Sequence, residues 1–416
     1  MKRIVVFSIL IAGLVFPGIA SAGENFSMGG SIGALSINGA MWYRVALQPV
    51  MKFNKLKVGL NLNLTWNDTD GIKHWGREEW ANLILFIQWA GKGDKPLYFR
   101  IGDLQSATLG HGFILNRYSN MSRAAYLNAY RNIGLELDLD FDKWGTETVL
   151  SNIFLDSATV YGLRPYVRPF KIIGVDIPVL SNLAIGVSYA TDAVTGVYVK
   201  DNAGTKTIPE GRVDMVGVDL DLPILDSMLI YYIDYAQILL HGNGWATGFM
   251  GGKGWDFFSI DYRFEYRNLG SDFSPQFFDS YYEMGKPKLI DSSPADRCNG
   301  WYGELNFGIL KAVYILFSYE DAFRSAGKVE GNPRLHAGLT LSENLFSITK
   351  QRINISGTYD HKNLGAIPEK PDDQMMQAMV SYGVSENVDI IYVYTQKYSP
   401  DGQKINSTSI ETKLRF

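Results

Sequence analysis

Charged residues occupy every second position in several stretches of this sequence. Successive side chains of a β-strand point to opposite faces, so each such set lies on one face of a predicted strand. The charged positions that share such a face are Glu136, Asp138, Asp140, Arg164, Arg168, Arg263, Glu265 and Arg267. Opposed acidic and basic patches produce an electric field that orients ions and polar solutes. The same charges are equally consistent with simple contact with water.

The residues between these charges are apolar. The run 134–141 places leucines between its acids, and the run 258–267 places Tyr262, Phe264 and Tyr266 between its charges. Period two of this strength predicts strands with one face in an apolar environment and the other in water. The 24 Tyr, 22 Phe, 9 Trp and 42 Gly residues fit many strands joined by turns better than they fit helices.

Catalytic chemistry has little support in the sequence. None of the 5 His residues lies in a recognisable motif with a nucleophile, as covalent catalysis requires. The stretch NDTDG, Asn67–Gly71, lacks the later Glu of a calcium loop. We therefore predict no enzyme activity, no metal and no cofactor. The formal net charge of −4 also argues against nucleic acid, which favours a basic surface.

The amino terminus has the pattern of an export signal. Lys2 and Arg3 precede the apolar stretch Ile4–Phe16, and the small residues Ala20 and Ala22 follow at a cleavage-site spacing. The apolar stretch is shorter than the ~20 residues of a membrane-spanning helix. We predict that residues 1–22 are a cleaved signal peptide and that residues 23–416 form a single domain. The one cysteine, Cys298, is expected to lie in a loop.

The connections between the predicted strands alternate between short and long. Short turns at one end and long loops at the other are typical of a transmembrane barrel with short periplasmic turns and long external loops. A soluble β-sandwich shows the same period, but a chain of this length would normally divide into domains. The prediction is an all-β, antiparallel up-and-down transmembrane β-barrel of 18–20 strands. Its eighth strand, 160–170, is doubtful because Pro165 and Pro169 cannot donate to the ladder.

The carboxyl terminus carries a resemblance to a known class. Ile410, Thr412, Leu414 and Phe416 lie on one face of a predicted final strand, and the chain stops on that aromatic residue. In this the sequence resembles bacterial outer-membrane β-barrel proteins, porins among them. The resemblance implies an outer-membrane location, contact with membrane lipid, and recognition of the last strand by the barrel-assembly machinery. It also implies that a homo-oligomer is an option, since trimers are common among general porins.

A barrel of about 20 strands is too wide for side chains to fill, so it leaves an aqueous channel. The leading hypothesis is a porin that lets small hydrophilic solutes diffuse through a charged lumen. In general porins the third loop folds into the barrel, and here that loop includes 112–131. The resemblance therefore suggests Arg117, Arg123 and Arg131 as constriction residues, with a short helix predicted over 123–130. An ordinary external loop is the alternative.

Two other functions remain open for a barrel of this kind. The loop 268–298 contains Phe273, Phe277, Phe278, Tyr281 and Tyr282, which would suit an apolar or sugar ligand patch in a substrate-specific transporter. The same loop would equally suit packing over the barrel mouth. A non-conducting structural or adhesive barrel is the other alternative, since long external loops serve either purpose.

Overall fold

A computed structural model describes most of the chain. The described residues are 26–37, 40–67, 71–72, 83–120, 132–154, 160–193, 197–201, 204–208, 212–280, 282–285, 297–323, 333–349, 351–361, 364, 374–385, 388–398 and 404–415. The predicted signal peptide, Arg123, Arg131, the predicted helix 123–130 and Phe416 lie outside these ranges. No helix in the described ranges is long and apolar enough to cross a bilayer.

The described chain is built almost entirely from β-strands. In chain order they are β1 Phe26–Ile37, β2 Ala40–Phe53, β3 Leu56–Leu60, β4 Leu62–Asn67, β5 Gly71–Ile72, β6 Ile84–Trp89, β7 Leu97–Gly102, β8 Gly134–Asp140, β9 Trp144–Leu150, β10 Val160–Val167, β11 Ala184–Asp192, β12 Val197–Asp201, β13 Gly204–Ile208, β14 Val213–Leu225, β15 Leu229–Ile238, β16 Asn243–Gly254, β17 Phe258–Leu269, β18 Cys298–Ile309, β19 Val313–Phe323, β20 Arg334–Leu341, β21 Ile353–His361, β22 Gln374–Ser385, β23 Val388–Tyr398 and β24 Lys404–Arg415.

Short helices occupy a few connections. They are α1 Pro169–Ile173, α2 Tyr282–Gly285 and three 3-10 turns at Leu180–Asn182, Asp226–Met228 and Glu343–Thr349.

A single antiparallel sheet contains 22 of these strands, and β12 and β13 form a separate hairpin. The strands follow one another around the sheet in chain order, with β3 and β4 acting as one wall strand interrupted at Asn61. The last strand, β24, pairs with β1 from Gly29↔Arg415 to Leu35↔Ser409. Because the ladder returns to its first strand, the wall is an up-and-down barrel. Counting β3 and β4 together and setting the two-residue β5 aside leaves about twenty wall strands in the described chain, as the barrel prediction expects.

The wall has its apolar face outside and its polar face inside. On β17, Arg263, Glu265 and Arg267 point inward and are buried, whereas Phe264 points outward and is half exposed. The same order holds on β10, where Arg164 is buried and Leu163 is exposed. A water-soluble sandwich buries its apolar face, so exposed apolar and buried charged faces indicate a barrel surrounded by lipid.

The two ends of the barrel differ in their connections. The short-turn rim includes the turns at 54–55, 90–96, 141–143, 226–228, 255–257 and 310–312. The long-loop rim includes 103–133, 193–212 and 270–297, and the first and last of these correspond to the predicted loops 112–131 and 268–298.

Two long connections fold into the barrel. We call residues 103–120, which follow β7, loop A, and residues 270–280, which follow β17, loop B. Leu104, Leu115 and Tyr118 of loop A are fully buried, as are Phe273 and Phe278 of loop B. They form one apolar cluster with inward-facing wall residues such as Met215 and Ala236.

Several sequence boundaries need correction. The eighth wall strand ends at Val167, since Pro169 begins helix α1. The pairing of this strand with β11 is interrupted at Arg164 and Pro165, because proline has no N–H to donate. Cys298 is the buried first residue of β18 and does not lie in a loop. Loop A begins at Asp103, nine residues before the predicted start.

Candidate functional site

Loop A enters the barrel as a narrow hairpin. The backbone N–H of Ala107 donates to the carbonyl of Tyr118 at 2.9 Å, and the reverse bond is 2.8 Å long. Asn120 ties the base of the hairpin to the wall, because its side-chain oxygen accepts from the N–H of Leu104 at 2.8 Å and its amide donates to the carbonyl of Ser151 at 3.0 Å. The buried backbone groups are thereby paired inside the lumen.

Wall glycines make room for the loop side chains. A Cβ at Gly162 would stand 2.6 Å from the side chain of Leu109, and one at Gly217 would stand 2.8 Å from Ile114. Gly244 gives the same space to Phe273 of loop B, which a Cβ would approach to 2.6 Å. These contacts are closer than real Cβ atoms tolerate, so the wall sequence fits the loops in this position.

Loops A and B hydrogen-bond to each other across the lumen. The N–H of Gln276 donates to Phe113 at 2.8 Å, and the N–H of Phe278 donates to Ile114 at 3.1 Å. In the opposite direction, the N–H of Asn116 donates to the carbonyl of Phe278 at 2.9 Å. The two loops therefore form one layer, which packs against inward residues of one side of the wall, from Val149 on β9 to Ala322 on β19.

Arg164 fixes the tip of loop A to the wall. Its Nε donates to Asp219 at 2.9 Å and its Nη1 to Glu147 at 2.8 Å. The other oxygen of Glu147 accepts from the backbone N–H of Gly110 at 2.6 Å. Gly110 adopts a φ of +53°, a backbone conformation that favours glycine. One buried cation thus binds two neighbouring strands directly and holds the loop through Glu147.

His111 lies at the same tip and is buried against β15. Its ring stacks on Tyr232 with centroids 4.3 Å apart, and its Nδ1 is 3.0 Å from Asp234. Its Nε2 is 3.9 Å from Asp221 on β14. Burial lowers the pKa of His111, but the nearby carboxylates of Asp234 and Asp221 outweigh burial and raise the pKa to about 9. His111 is therefore a buried cation at neutral pH.

The predicted charges of β17 form a closed network beneath the loops. Glu265 accepts from the hydroxyl of Tyr232 at 2.6 Å and from Nε of Arg267 at 2.6 Å, and it also pairs with Arg263. Arg267 also forms an ion pair with Glu320 on β19, with 2.9 Å between Nη1 and Oε1. These three inward residues point into the barrel as the alternation predicted, but they are buried rather than open to the lumen.

The predicted charges of β8 lie nearer the short-turn rim. Glu136 is buried and binds Lys92 and the hydroxyl of Tyr98. Asp140 pairs with Arg168 at 2.9 Å and with Lys95 at 3.0 Å. Asp138 faces inward between them, opposite Glu147 of β9. Arg168 lies one residue beyond β10 and therefore belongs to the rim.

A polar gap remains between the loops and the strands β18–β21. Arg117 of loop A borders it and donates from Nη2 to Glu304 at 2.6 Å. On the facing wall Arg334 bonds Asp360 at 3.1 Å, and Nδ1 of His336 lies 3.1 Å from the same carboxylate. Arg117 is the least buried of these side chains, at 31% exposure. The gap has a volume of about 60 Å³ and both signs of charge on its lining.

The lumen widens on the short-turn side of this gap. The next inward positions of the same strands are small or neutral, and they border a chamber of about 450 Å³. Its lining includes Asn306, Gly338, Thr340, Ser356 and Thr358. The charged gap is therefore narrower than the chamber that the next inward positions border.

Of the described residues that border the gap, Arg117 was named as a candidate from the sequence, whereas Arg334 and His336 of the facing wall were not named as site candidates. The alternation of 334–341 predicts that His336 points inward, and it predicts the same for Arg334. Asp279 and Ser280 of loop B, which also line the gap, have no sequence signal of their own. The aromatic residues of loop B are buried against loop A, which contradicts their proposed use as an exposed ligand patch.

No known protein-family model matches the chain, and no curated protein matches it. Among solved structures the chain is similar to OccK11 (OpdR) of Pseudomonas aeruginosa, with 10% identity, a TM-score of 0.40, and coverage of 94% of this chain and 95% of that one. It is also similar to Wzi of Escherichia coli, described as a carbohydrate-binding β-barrel, with 10% identity, a TM-score of 0.37, and coverage of 97% and 87%. A BenF-like porin of Pseudomonas fluorescens Pf-5 gives 7% identity, a TM-score of 0.37, and coverage of 94% and 97%.

No group of three or more candidate metal ligands occurs among the described residues.

Proposed function

We propose that this protein is a bacterial outer-membrane channel through which small hydrophilic solutes diffuse passively. The observation that carries the proposal is the polar gap between loops A and B and strands β18–β21, inside a wall whose outer face is apolar. Such a wall suits lipid, and such an interior suits water and polar solutes. The short-turn rim would face the periplasm and the long-loop rim the exterior.

Opposed charges give the gap a role in solute choice. Arg117 extends from loop A, while Arg334, Asp360 and Asp279 lie on the facing side. Charges in a narrow cleft with low-dielectric walls act strongly on a passing solute because the field is focused there. The proposal assigns permeation control to these residues, and it extends to Arg123 and Arg131, which lie outside the described ranges.

Planar-bilayer conductance of the purified protein tests this proposal directly. We expect discrete current steps in potassium chloride, together with a reversal potential that depends on Arg117. An Arg117→Glu variant should shift selectivity towards cations, and the shift should shrink as salt rises because the screening length falls from about 10 Å at 0.1 M to about 3 Å at 1 M. The rim variant Arg212→Glu, at an exposed residue, serves as the control. Absence of steps at any salt concentration would contradict the proposal.

A non-conducting barrel is the second candidate, and the loop layer favours it. Loops A and B bury apolar side chains across much of the lumen, so a small further movement would close the gap. Entry of neutral sugars of graded size into proteoliposomes distinguishes the two functions. Swelling by the smallest sugars with a sharp size cut-off supports a channel, and the absence of swelling supports a structural or adhesive barrel.

The last strand supports a further part of the proposal, namely assembly by the barrel-assembly machinery. Strand β24 forms the seam with β1, and Ile410 on its outer face is exposed. Thr412 and Leu414 follow Ile410 at every second position of the same strand, and Phe416 follows the described strand. A Leu414→Asp variant should reach the membrane in smaller amounts, whereas Ser409→Asp, on the opposite parity of β24, should not. Equal surface levels of the two variants would contradict an assembly role for this face.

A further inference from the structure

The chamber on the short-turn side of the gap has its inward side chains arranged in rows. Directly opposed residues of an antiparallel pair place their side chains on the same face, so the strand registers define each row. One row has the inward parity of Arg263 on β17. It borders the chamber and crosses β17–β21 as Ser259, Gly308, Tyr314, Thr340 and Ser356. The row brings an aromatic ring and several short hydroxyl side chains to the same side of the lumen.

Tyr314 places its aromatic ring in this chamber, and the residue is 45% exposed. Gly308 lies directly opposite on β18, and a Cβ at that glycine would stand 3.4 Å from Cδ1 and Cε1 of the ring. The same Cβ would collide with Oγ of Ser259, so the glycine lets the serine and the ring meet over bare backbone. The face of an aromatic ring is electronegative and attracts C–H groups that carry partial positive charge. Tyr314 therefore offers a platform for the C–H face of a solute.

The hydroxyl groups near this ring are not used by the protein itself. No hydrogen bond found within the described ranges involves the side chains of Thr340 and Thr358, which are exposed in the chamber, or those of Ser259 and Ser356. The charged groups of the gap, by contrast, are paired with one another, as Arg334 is with Asp360. A hydroxyl both donates and accepts hydrogen bonds. The chamber therefore presents several neutral donors and acceptors to a solute.

The charge of the chamber narrows the class of that solute. Asp261 is exposed and is the one charged residue in the described lining. Its carboxylate repels an anion, and no cation of the described lining compensates for that repulsion. A purely apolar solute would remove water from the hydroxyl groups and from Asn306 without replacing their hydrogen bonds, which is unfavourable. A neutral molecule with an apolar C–H face and several hydroxyl groups satisfies both the ring and its polar surroundings.

We propose that this chamber is a subsite for a neutral sugar, with the C–H face of the sugar on Tyr314 and its hydroxyl groups on Asn306, Thr340 and Thr358. The inference rests on the proposed channel function, because it names a solute class for the same lumen. The chamber volume of about 450 Å³ lies within the ~300–1,000 Å³ of small-molecule sites. Binding should be weak, in the millimolar range, because a permeating solute must also leave.

Saturation-transfer NMR tests the solute class on the full protein in a detergent without a sugar headgroup, such as dodecylphosphocholine. The ring C–H protons of methyl β-glucoside should receive saturation, and those of methyl β-glucuronide, its anionic counterpart, should receive severalfold less. Asp261→Asn should reduce the difference between the two probes. Equal transfer to both probes in the wild-type protein would overturn the inference. Stronger transfer to choline than to the glucoside would also overturn it, in favour of an organic cation.

Substitutions in the chamber test the assigned contacts. Tyr314→Ala should abolish transfer to the glucoside, whereas Tyr314→Phe, which keeps the ring, should retain it. The matched control Tyr392→Ala removes an exposed tyrosine from the outward face of β23 and should leave transfer unchanged. The heat-sensitive gel shift identifies the variants that are folded. Unchanged transfer in folded Tyr314→Ala would overturn the inference.

A hydroxyl-deleting variant gives a second test that does not depend on the folding of Tyr314→Ala. Thr340→Val/Thr358→Val keeps the side-chain shape and should weaken glucoside binding severalfold, while Thr395→Val, at an inward position of β23 outside the chamber, should not. Equal binding by the two variants would overturn the inference. Binding in detergent requires no current, so the two proposals can fail separately. Conductance steps without glucoside binding would overturn the sugar subsite alone, and glucoside binding without steps would support the subsite and contradict passive conduction.

Discussion

The two sides of the lumen use inward-facing polar residues in different ways. Beneath loops A and B, inward residues such as Arg164 on β10 and Glu265 and Arg267 on β17 are long, charged and buried, with Arg267 at 0% exposure. Along β20 and β21, inward residues such as Thr340, Ser356 and Thr358 are short and neutral, and they border an open chamber. An inward charge on a barrel strand is therefore not the same as a pore-lining charge.

The difference follows from what each side has to bind. Loop A brings polar groups such as the Gly110 N–H into the lumen, and a buried polar group needs a partner. Long charged side chains reach those groups and one another, as Glu147 and Arg164 do. On the other side water satisfies the wall, so small residues suffice and the space remains open.

The largest expected effect comes from breaking the buried network on the loop side. Glu265→Ala removes the acceptor shared by Arg263, Arg267 and Tyr232 and leaves two buried guanidinium groups with reduced compensation. Removing one partner of a buried pair costs about 3–5 kcal/mol. Urea unfolding in detergent, followed by the heat-sensitive gel shift, measures this cost. Thr358→Ala on the open side should change stability by less than about 0.5 kcal/mol; equal losses would contradict the comparison.

A smaller effect is expected at the loop tip. In Gly110→Ala the added Cβ would stand 2.8 Å from Nε of Arg164 and would take on a φ of +53°. The left-handed conformation alone costs about 1–2 kcal/mol. Gly174→Ala provides the matched control, because Gly174 has a φ of +72° with no atom within 4 Å of its added Cβ. A greater loss of stability in Gly110→Ala than in Gly174→Ala would measure the Arg164 contact alone.

Alkaline pH should loosen the same tip to a lesser degree. The pKa of His111 is raised on folding, so its ionic contribution is complete below its unfolded pKa of about 6.5 and is lost as the pH rises through about 9. Asp234 and Asp221 then lose their cation, while Arg164 and Tyr232 remain beside the ring. Conductance noise should rise between about pH 7.5 and about pH 9.5. His111→Gln should remove this step, and its persistence in that variant would assign the step to another group.

Much of this architecture follows from the sequence because the period of a strand is exact. Alternation placed Glu136, Arg164 and Glu265 on the polar face of their strands, and in the structure that face points inward. It could not show which of them loops would cover, because the contacts between Leu109 and Gly162, and between Arg117 and Glu304, join distant segments. Small inward residues on the wall indicate that a long loop packs against them. Such glycines and alanines occur on β10, β11, β14, β15 and β16, so the sequence carried a signal for the covered side.

The smallest expected effect concerns the gap itself. Arg334 lies between Asp279 at 3.4 Å and Asp360 at 3.1 Å, and 21% of its side chain is exposed. Arg334→Gln leaves these two carboxylates facing the gap without that cation. The ion selectivity should therefore shift modestly towards cations at low salt. The shift should disappear at high salt, where the screening length is about 3 Å. Arg164→Gln makes the same charge change on the covered side, and any channel it forms should keep the wild-type selectivity because Arg164 does not face the gap. If the reversal potential shifts with Arg164→Gln but not with Arg334→Gln, solutes pass beneath loop A, and the assignment of open and covered sides is reversed.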